Sequence, residues 1–379
     1  MHVDQIQSPT EGRDVLEIIS IGSQLDSAGH TGSDGFGNRV IRLQKALIER
    51  DPESCETIAM PRMAFWNSPA KTDAQKRHII DRAQTLQKGI GMGLHDKLDY
   101  TCRVVNRSLK IGVKWAVSYS GGRDSTVLSH IITEVMGRRD IPHVMSNTRM
   151  EYPETIQQVK NWYARLRSLG VECHTCFPDK RPNVLWKEIG VPLWSKILAY
   201  KYRKFARSKT GKMPKDVPKA LEPEFRKAKE LGLKITDKCC DELKKKPMAR
   251  WDAEHGVGGH IMGVRCSESR SRRLAWIMQG SLYQASTHGG MWVSNPLAYW
   301  TLEDVETWLS DHGIEVLRPD TPTGGSGCVT CMFGCQSRAA EGTKNNLQDL
   351  KERNPKMWRA ALDDWGYRDV LDQMGIPYE

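Results

Sequence analysis

The feature that most constrains this sequence is a glycine turn placed between a strand-like run and a helix-like run. Residues 112–120, GVKWAVSYS, are rich in β-branched and aromatic side chains, which predicts a short buried strand. The chain then turns through two glycines and continues as a helix over SGGRDSTVLSHIITEVM. A strand that feeds a helix in this way begins a βαβ unit, and such units build parallel sheets.

The same alternation of strands and helices continues downstream. Pro153 stands at the predicted start of the next helix, and Thr301 to Asp304 has the spacing of a helix capping box. Further strands are predicted at 143–148, 171–177, 258–265 and 291–295. We therefore predict an α/β fold with a doubly wound, mostly parallel sheet.

The chain has 379 residues, which suggests two domains or one large domain with extensions. We predict a helical N-terminal extension over 1–98, a central α/β domain over 99–315 with a basic insertion at 196–230, and a C-terminal cysteine-cluster segment over 316–379. No apolar run approaches the roughly 18 residues that would span a bilayer, and the N-terminus lacks the apolar core of a secretory signal. We therefore expect a cytoplasmic protein with reduced thiols and no membrane partner.

The glycine turn has the composition of a phosphate-binding loop. Glycines let the backbone approach an anion closely, and the free N–H groups at a helix start point towards that anion. Asp124 would repel a bare phosphate, so its presence indicates a nearby Mg²⁺. The Walker pattern is absent. The residues predicted to hold the nucleotide phosphates are Ser118, Ser120, Gly121, Gly122, Ser125 and Thr126.

Four motifs in this order resemble a known family. SGGRDS resembles the signature of the PP-loop ATP pyrophosphatases, which cleave ATP between the α and β phosphates and leave an adenylated intermediate. The other three resemble motifs of the phosphoadenosine phosphosulfate (PAPS) reductase-like branch: SNTRMEYPET at 146–155, IMGVRCSESRSRR at 261–273 and NPLAYWTLEDVETWL at 295–309. The resemblance covers about residues 112–376 and implies an adenine nucleotide alpha hydrolase-like sheet that binds ATP with Mg²⁺.

By this resemblance, Asn147 and Thr148 are expected near the adenosine, and Arg265, Glu268 and Arg270 across the cleft. The residues themselves agree, since Arg265 follows a predicted strand, where α/β sheets place their ligand cleft. Two arginines also suit bidentate recognition of phosphate or sulfate. The residues expected to act in catalysis are Asp124, Ser125 and Arg265.

Five of the ten cysteines form two tight groups, Cys239-Cys240 and Cys328, Cys331 and Cys335. In a reduced compartment, such grouping indicates metal or iron–sulfur ligation. Zinc motifs usually show two spaced pairs, so a tandem pair fits zinc poorly. A tandem pair with a Cys-x2-Cys pair resembles the [4Fe–4S] site of adenylyl-sulfate reductases, which implies the first four as ligands. Cys335 then either replaces one of the tandem pair as a ligand or carries sulfur without binding the cluster. The sequence also leaves open a zinc site and cysteines that bind no metal.

The charge distribution favours a polyanionic partner. Lys and Arg outnumber Asp and Glu by 56 to 46, and twelve of these cations against three acids fall between Lys196 and Lys229. Tyr200, Tyr202 and Phe205 are interleaved there and could stack on bases. We therefore expect a nucleic-acid partner, with a solvated pair of charged helices as the alternative.

The favoured function is ATP-dependent, iron–sulfur-dependent sulfur transfer to a nucleic acid, since the chain resembles DNA-phosphorothioation sulfurtransferases and some tRNA thiolases in this combination. A sulfur donor such as a cysteine desulfurase is then needed, and a homodimer is left open. The main competing function is a sulfonucleotide reductase, although the chain ends in GIPYE without that family's Cys-Gly-x-His tail. The sequence also leaves open a nucleotide-binding regulator and, more weakly, a small ATP-sulfurylase subunit.

Overall fold

A computed structural model of the chain describes residues 57–59, 73–214, 217–285, 290–319, 327–335, 338 and 341–379. Most of the predicted N-terminal extension therefore lies outside the described residues, as does the stretch 320–326 of the predicted C-terminal segment. Among the helices that the structure describes, none has the length and apolarity needed to cross a bilayer.

Nine strands are described: β1 (Thr57–Ala59), β2 (Lys114–Ser118), β3 (His143–Ser146), β4 (Cys173–Cys176), β5 (Leu193–Trp194), β6 (Val257–Met262), β7 (Leu282–Gln284), β8 (Trp292–Ser294) and β9 (Met332–Phe333). The α-helices described are α1 (Asp73–Ile90), α2 (Leu94–Leu109), α3 (Arg123–His130), α4 (Pro153–Ser168), α5 (Pro182–Ile189), α6 (Lys196–Arg207), α7 (Glu222–Glu230), α8 (Lys246–His255), α9 (Arg270–Gln279), α10 (Leu302–Asp311), α11 (Asn346–Arg353), α12 (Pro355–Asp363) and α13 (Tyr367–Met374).

One compact unit contains the described residues of 57–119, 123–142 and 257–315. Its strands lie in the order β1-β7-β8-β6-β2, and every neighbouring pair is parallel except β7 with β8. The three central residues of β2 are buried, as its apolar composition predicts. The strands predicted at 112–120, 258–265 and 291–295 are all present within a few residues.

Helices α1, α2 and α9 pack together in this unit. Leu86 of α1, Val104 of α2 and Trp276 of α9 belong to one buried apolar cluster. The rings of Tyr100 and Tyr299 stack there with centroids 4.0 Å apart. An amphipathic helix gains most of its stability from this kind of burial, which explains why a polar-rich sequence such as α2 is helical here.

The other compact unit contains residues 120–122 and the described residues of 143–256 and 316–379. Here β3 and β4 pair in parallel from His143 and Cys173 onwards, and β5 pairs in parallel with β9. Helix α4 begins at Pro153, as the sequence predicts. The helices α11–α13 close the chain, and their apolar faces join the core of this unit.

These strands and helices confirm the predicted α/β fold with a mostly parallel sheet. The two compact units interleave along the sequence, whereas the sequence suggested contiguous segments. The segment boundaries at 98 and 315 stay a prediction.

The capping box of α10 is part of a buried ion pair. The Thr301 side chain accepts from the Asp304 N–H, and the Asp304 carboxylate accepts from the Thr301 N–H. The Lys97 ammonium, with a side chain only 3% exposed, donates to Asp304 Oδ2 at 2.7 Å. Burial by itself would raise the pKa of Asp304, but the hydrogen bonds from Lys97 and Thr301 outweigh it and hold that pKa below its ordinary value.

Asp304→Asn should destabilise the protein at pH 7 by about 3 kcal/mol, because it leaves the buried Lys97 ammonium unpaired. A depressed carboxyl pKa stabilises the fold above the unfolded pKa, and this contribution is lost as the pH falls through the folded pKa. The difference in free energy of unfolding between wild type and Asp304→Asn should therefore become smaller below about pH 4. Urea unfolding across this pH range measures it. Asp311→Asn, at the exposed end of the same helix, is the control; equal stability of Asp304→Asn and wild type at pH 7 would contradict the prediction.

Candidate functional site

The turn after β2 requires its first glycine. Gly121 has φ +78°, and a Cβ there would lie 3.0 Å from Val159 and 3.2 Å from Thr155, both on α4. A side chain would therefore be strained by the backbone and blocked by the helix. Ser120 is exposed at the turn, and its hydroxyl accepts from the Gly122 N–H at 3.4 Å. Gly121 therefore makes a tight turn into the start of α3, and the first turn of a helix is where anions commonly bind.

A second glycine lets the segment after β6 approach the first turn of α3. A Cβ on Gly263 would lie 2.8 Å from the carbonyl carbon and oxygen of Asp124 and 2.9 Å from the Ser125 nitrogen. These neighbours are backbone atoms, which cannot rotate away as a side chain can. Glycine at this position therefore sets how closely the segment after β6 and the first turn of α3 approach each other.

The structure brings together two of the three predicted catalytic residues. Arg265 Nε donates to Asp124 Oδ1 at 2.8 Å, and the arginine is only 7% exposed. Arg265 Nη1 also donates to the Ser267 hydroxyl, which in turn donates to the Trp300 carbonyl. A buried guanidinium held on two sides is fixed in position, and its charge-assisted bond to the carboxylate is a strong one.

The remaining hydroxyls of the loop differ in their surroundings. The Thr126 side chain is fully buried and lies 3.1 Å from the Tyr119 hydroxyl, and Ser118 Oγ lies 3.0 Å from His260 Nδ1. These two contacts support the loop from within. Ser125, the third predicted catalytic residue, is 5% exposed in the first turn of α3. Its role in phosphate binding stays a prediction.

Glu268 and Arg270, which the resemblance places across the cleft, are both exposed. Glu268 lies in the short turn before α9 and forms an ion pair at 3.7 Å with Arg272. Arg270 is the first residue of α9. Their roles in nucleotide binding remain predictions.

The segment after β3 leads to the cysteine cluster. The Asn147 N–H donates to the Cys176 carbonyl at 2.9 Å, which joins the ends of β3 and β4. Thr148 is fully buried; its hydroxyl donates to Glu151 at 2.9 Å and lies 3.5 Å from Cys328 Sγ. The sequence assigned Thr148 only to the adenosine, and nothing in the local pattern indicated its contact with a cysteine.

Four of the five clustered cysteines line one apolar cavity, although they come from two distant parts of the chain. They share its wall with Thr148 and Lys244. Cys335 is fully buried in the core of the same unit and is not among the residues that line this cavity. The cysteines around the cavity are Cys239, Cys240, Cys328 and Cys331.

The tandem cysteines have opposite acidities. A hydrogen bond from the Cys239 thiol lowers the pKa of Cys240 against the effect of burial, and the ammonium groups of Lys196 and Lys244 lower it further. The same hydrogen bond, together with burial, raises the pKa of Cys239. Burial raises the pKa of Cys328 to about 12. Cys240 is therefore the thiol most ready to ionise, as a metal or cluster ligand must.

Lys244 is a residue of this site that sequence reasoning missed. Its ammonium lies 3.7 Å from the buried Glu151 carboxylate. Burial would lower the pKa of Lys244, but Glu151 and the thiols of Cys328 and Cys240 raise it overall. One feature of the sequence could have indicated that Lys244 belongs to the site, namely its position four residues after Cys240. The structure places it in the π-helical turn Asp241–Lys245 that leads into α8.

The basic insertion folds as helices α6 and α7, and two of its three aromatic residues are not available to stack on bases. Tyr202 and Phe205 are 1% and 2% exposed in the core, so this part of the prediction is wrong. An amphipathic helix buries its aromatic side chains on its apolar stripe, and these two lie on that stripe. Tyr200 alone of the three is exposed, at 40%, and Lys204 Nζ lies 4.5 Å from its ring centre.

Residues 114–213 match the model of the phosphoadenosine phosphosulfate reductase domain. This stretch, about a quarter of the chain, is therefore similar to that domain. The match includes two of the four motifs, SGGRDS and SNTRMEYPET, and supports the predicted resemblance to the PAPS reductase-like family. Comparison with curated proteins finds no match.

Solved structures similar to this PAPS reductase-family chain include two that share 14% sequence identity with it. One is the PAPS reductase from Candida auris in a phosphate complex, aligned over 64% of this chain and 88% of that chain with a TM-score of 0.37. The other is the U34-tRNA thiolase NcsA from Methanococcus maripaludis with its [4Fe–4S] cluster, aligned over 74% and 80% with a TM-score of 0.33. Both likenesses are distant.

Gly263→Ala should displace the first turn of α3 and weaken the binding of tripolyphosphate at least about tenfold, with a loss of stability of about 2 kcal/mol from overpacking. Isothermal calorimetry with tripolyphosphate measures the first effect, and urea unfolding measures the second. Gly93→Ala is the matched control, because the nearest atom to its Cβ is 4.0 Å away. Wild-type affinity in Gly263→Ala would show that this close approach does not shape the loop.

Proposed function

We propose that this protein is an ATP pyrophosphatase that adenylates a nucleic-acid acceptor for iron–sulfur-dependent sulfur transfer. The observation that carries the proposal is the complete glycine turn after β2, with Asp124 of α3 paired to the buried Arg265. Sulfonucleotide reduction does not call for a loop that cradles a triphosphate, whereas adenylation does.

The proposed first step is attack by an acceptor oxygen on the α phosphorus of ATP. The bond between the α phosphorus and the bridging oxygen breaks, pyrophosphate leaves, and the acceptor carries AMP. The turn at Gly121 and the start of α3 would hold the phosphates. Arg265 would stabilise the charge that develops on the departing pyrophosphate. Asp124 would hold Mg²⁺, which commonly binds through one or two carboxylates together with substrate phosphates.

The four thiols around the cavity fit an iron–sulfur cluster better than a single zinc ion. A tetrahedral zinc with Zn–S bonds of about 2.3 Å brings its sulfurs to about 3.8 Å from one another. Among the residues that the structure describes, no three Cys, His, Asp or Glu side chains are grouped closely enough to hold one metal ion. A [4Fe–4S] cluster takes four cysteine thiolates, one on each iron, and so suits a wider set. When bound, it would supply the site from which sulfur is delivered.

Cys239, Cys240, Cys328 and Cys331 should each be required for iron. Their single serine variants should lose most of the iron, the acid-labile sulfide and the brown colour of anaerobically purified protein. Cys335→Ala should retain all three, since that side chain lies in the core outside the cavity lining. Metal analysis and visible absorbance measure this. Colourless wild-type protein holding one zinc ion would contradict the cluster.

The outer face of α6 supports a nucleic acid as the acceptor. The helix contains five cations and no acid. Arg203 is paired with Asp237 at 2.6 Å, but Lys204 is exposed beside Tyr200, and Arg207 is exposed in the last turn of the same helix. At the other end of the helix, Lys196 pairs with Asp241 at 3.8 Å, next to Cys240 of the cavity. A single strand that contacts these cations and stacks on Tyr200 would therefore run towards the thiols.

Pyrophosphate release from ATP should increase in the presence of single-stranded DNA or RNA. Asp124→Ala should abolish the release at any nucleic-acid concentration. The double variant Lys204→Gln/Arg207→Gln should weaken nucleic-acid binding and reduce the slope of log affinity against log salt by about 2, with release in the absence of nucleic acid unchanged. Lys356→Gln/Arg359→Gln, an equal charge loss on the exposed face of α12, is the control. Equal effects of the two double variants would remove α6 from the interface.

A sulfonucleotide reductase is the second candidate, because the matching domain carries that name. The chain would then need a cysteine that attacks sulfate. Cys266 follows the anion-binding Arg265, but it is 2% exposed and burial raises its pKa to about 12. Cys335 is fully buried. Sulfite release from adenylyl sulfate or PAPS, without pyrophosphate release from ATP, would favour the reductase over our proposal.

A further inference from the structure

An aromatic and a cationic side chain lie together at the carboxyl end of β4. Phe177 directly follows the last residue of this strand and is 41% exposed. The guanidinium of the exposed Arg149 lies 4.9 Å from the centre of its ring. The Phe177 carbonyl accepts from Arg250 at 3.0 Å, and Arg250 also binds Asp179, so the backbone of this residue is held in place.

The segment after β3 adopts a costly backbone conformation that places Arg149 over the ring. Arg149 has φ +66°, in the left-handed region that non-glycine residues seldom adopt. The Asn147 side chain stabilises this backbone, since its Oδ1 accepts from the Arg149 N–H at 2.7 Å. Backbone conformations of this kind occur often at ligand sites, where surrounding contacts hold them.

The two residues stand where α/β sheets bind their ligands. The carboxyl ends of β3 and β4 are joined by the bond from the Asn147 N–H to the Cys176 carbonyl. Open α/β sheets take ligands in the crevice outside the carboxyl ends of their strands. The segment that holds Arg149 leads directly into α4, and Thr155 in the first turn of α4 contacts Gly121 of the phosphate loop.

We propose that Phe177 and Arg149 form the platform on which the adenine ring of ATP stacks. A flat ring and a flat guanidinium, both exposed, offer the faces that a purine prefers, and neither carries a negative charge that would repel the nucleotide. The proposal rests on the proposed function, because it takes ATP as the ligand. It adds two residues that recognise the base, whereas the glycine turn recognises only phosphate.

The test separates binding of the base from binding of the phosphates. Affinities for ATP and for tripolyphosphate, which lacks adenosine, are measured by calorimetry on the full chain. Phe177→Ala should lower the affinity for ATP about tenfold and leave the affinity for tripolyphosphate unchanged. Phe177→Tyr should retain wild-type affinity for both ligands. Leu231→Ala, which shortens an equally exposed apolar side chain at the end of α7, is the control and should change neither.

Each contrary result overturns the platform. Unchanged affinity of Phe177→Ala for ATP would show that the ring does not contact the base. An equal loss for both ligands would show that Phe177 acts through the fold. If wild type binds tripolyphosphate and ATP with the same affinity, the base contributes nothing to binding. That result would contradict the platform but not the proposed phosphate binding. If wild type binds neither ligand, the proposed function fails with it.

Discussion

The ion pair between the buried Arg265 and the partly exposed Asp124 is the interaction on which the glycine turn after β2 depends. It ties the first turn of α3 to the segment that follows β6, and Gly263 permits the close backbone contact beside it. An arginine that is 7% exposed would be costly without a partner, so the pair holds both side chains in one geometry. The loop is thereby shaped by its neighbours, and its hydroxyls at Ser118 and Thr126 support it from the protein side.

The cysteine cavity depends on a different structural feature, the short parallel sheet that β5 and β9 form. This pairing holds Met332 and Phe333 beside Leu193 and Trp194, and the Gly334 N–H donates to the Trp194 carbonyl. The segment that carries Cys331 is therefore fixed against the body of the unit. Buried polar groups complete the cavity, where Thr148 contacts Cys328 and Lys244 faces Glu151. Such neighbours commonly orient thiolate ligands and adjust their charge.

The basic insertion shows why counting charges is an incomplete guide to a binding surface. Arg203 donates a hydrogen bond to Asp237, and Lys229 donates to the carbonyls of Phe205 and Ser208. Lys227 donates to a carbonyl at the end of α13. These cations stabilise the helix pair, so a count of charges overstates the surface that a nucleic-acid partner could use.

The sequence by itself determined the strands β2, β3, β4, β6 and β8, the starts of α3 and α4, the capping box of α10, the glycine turn and the family resemblance, because each of these depends on short-range periodicity or on contiguous motifs. Tertiary structure alone decided that Cys335 is not among the cysteines that line the cavity, that Tyr202 and Phe205 are core residues, and that Arg149 stands over Phe177. Those outcomes depend on contacts between residues far apart in the chain, or on which side of an element faces the core. Local sequence patterns do not predict such contacts, because the same residues at the same spacing could pack against different neighbours.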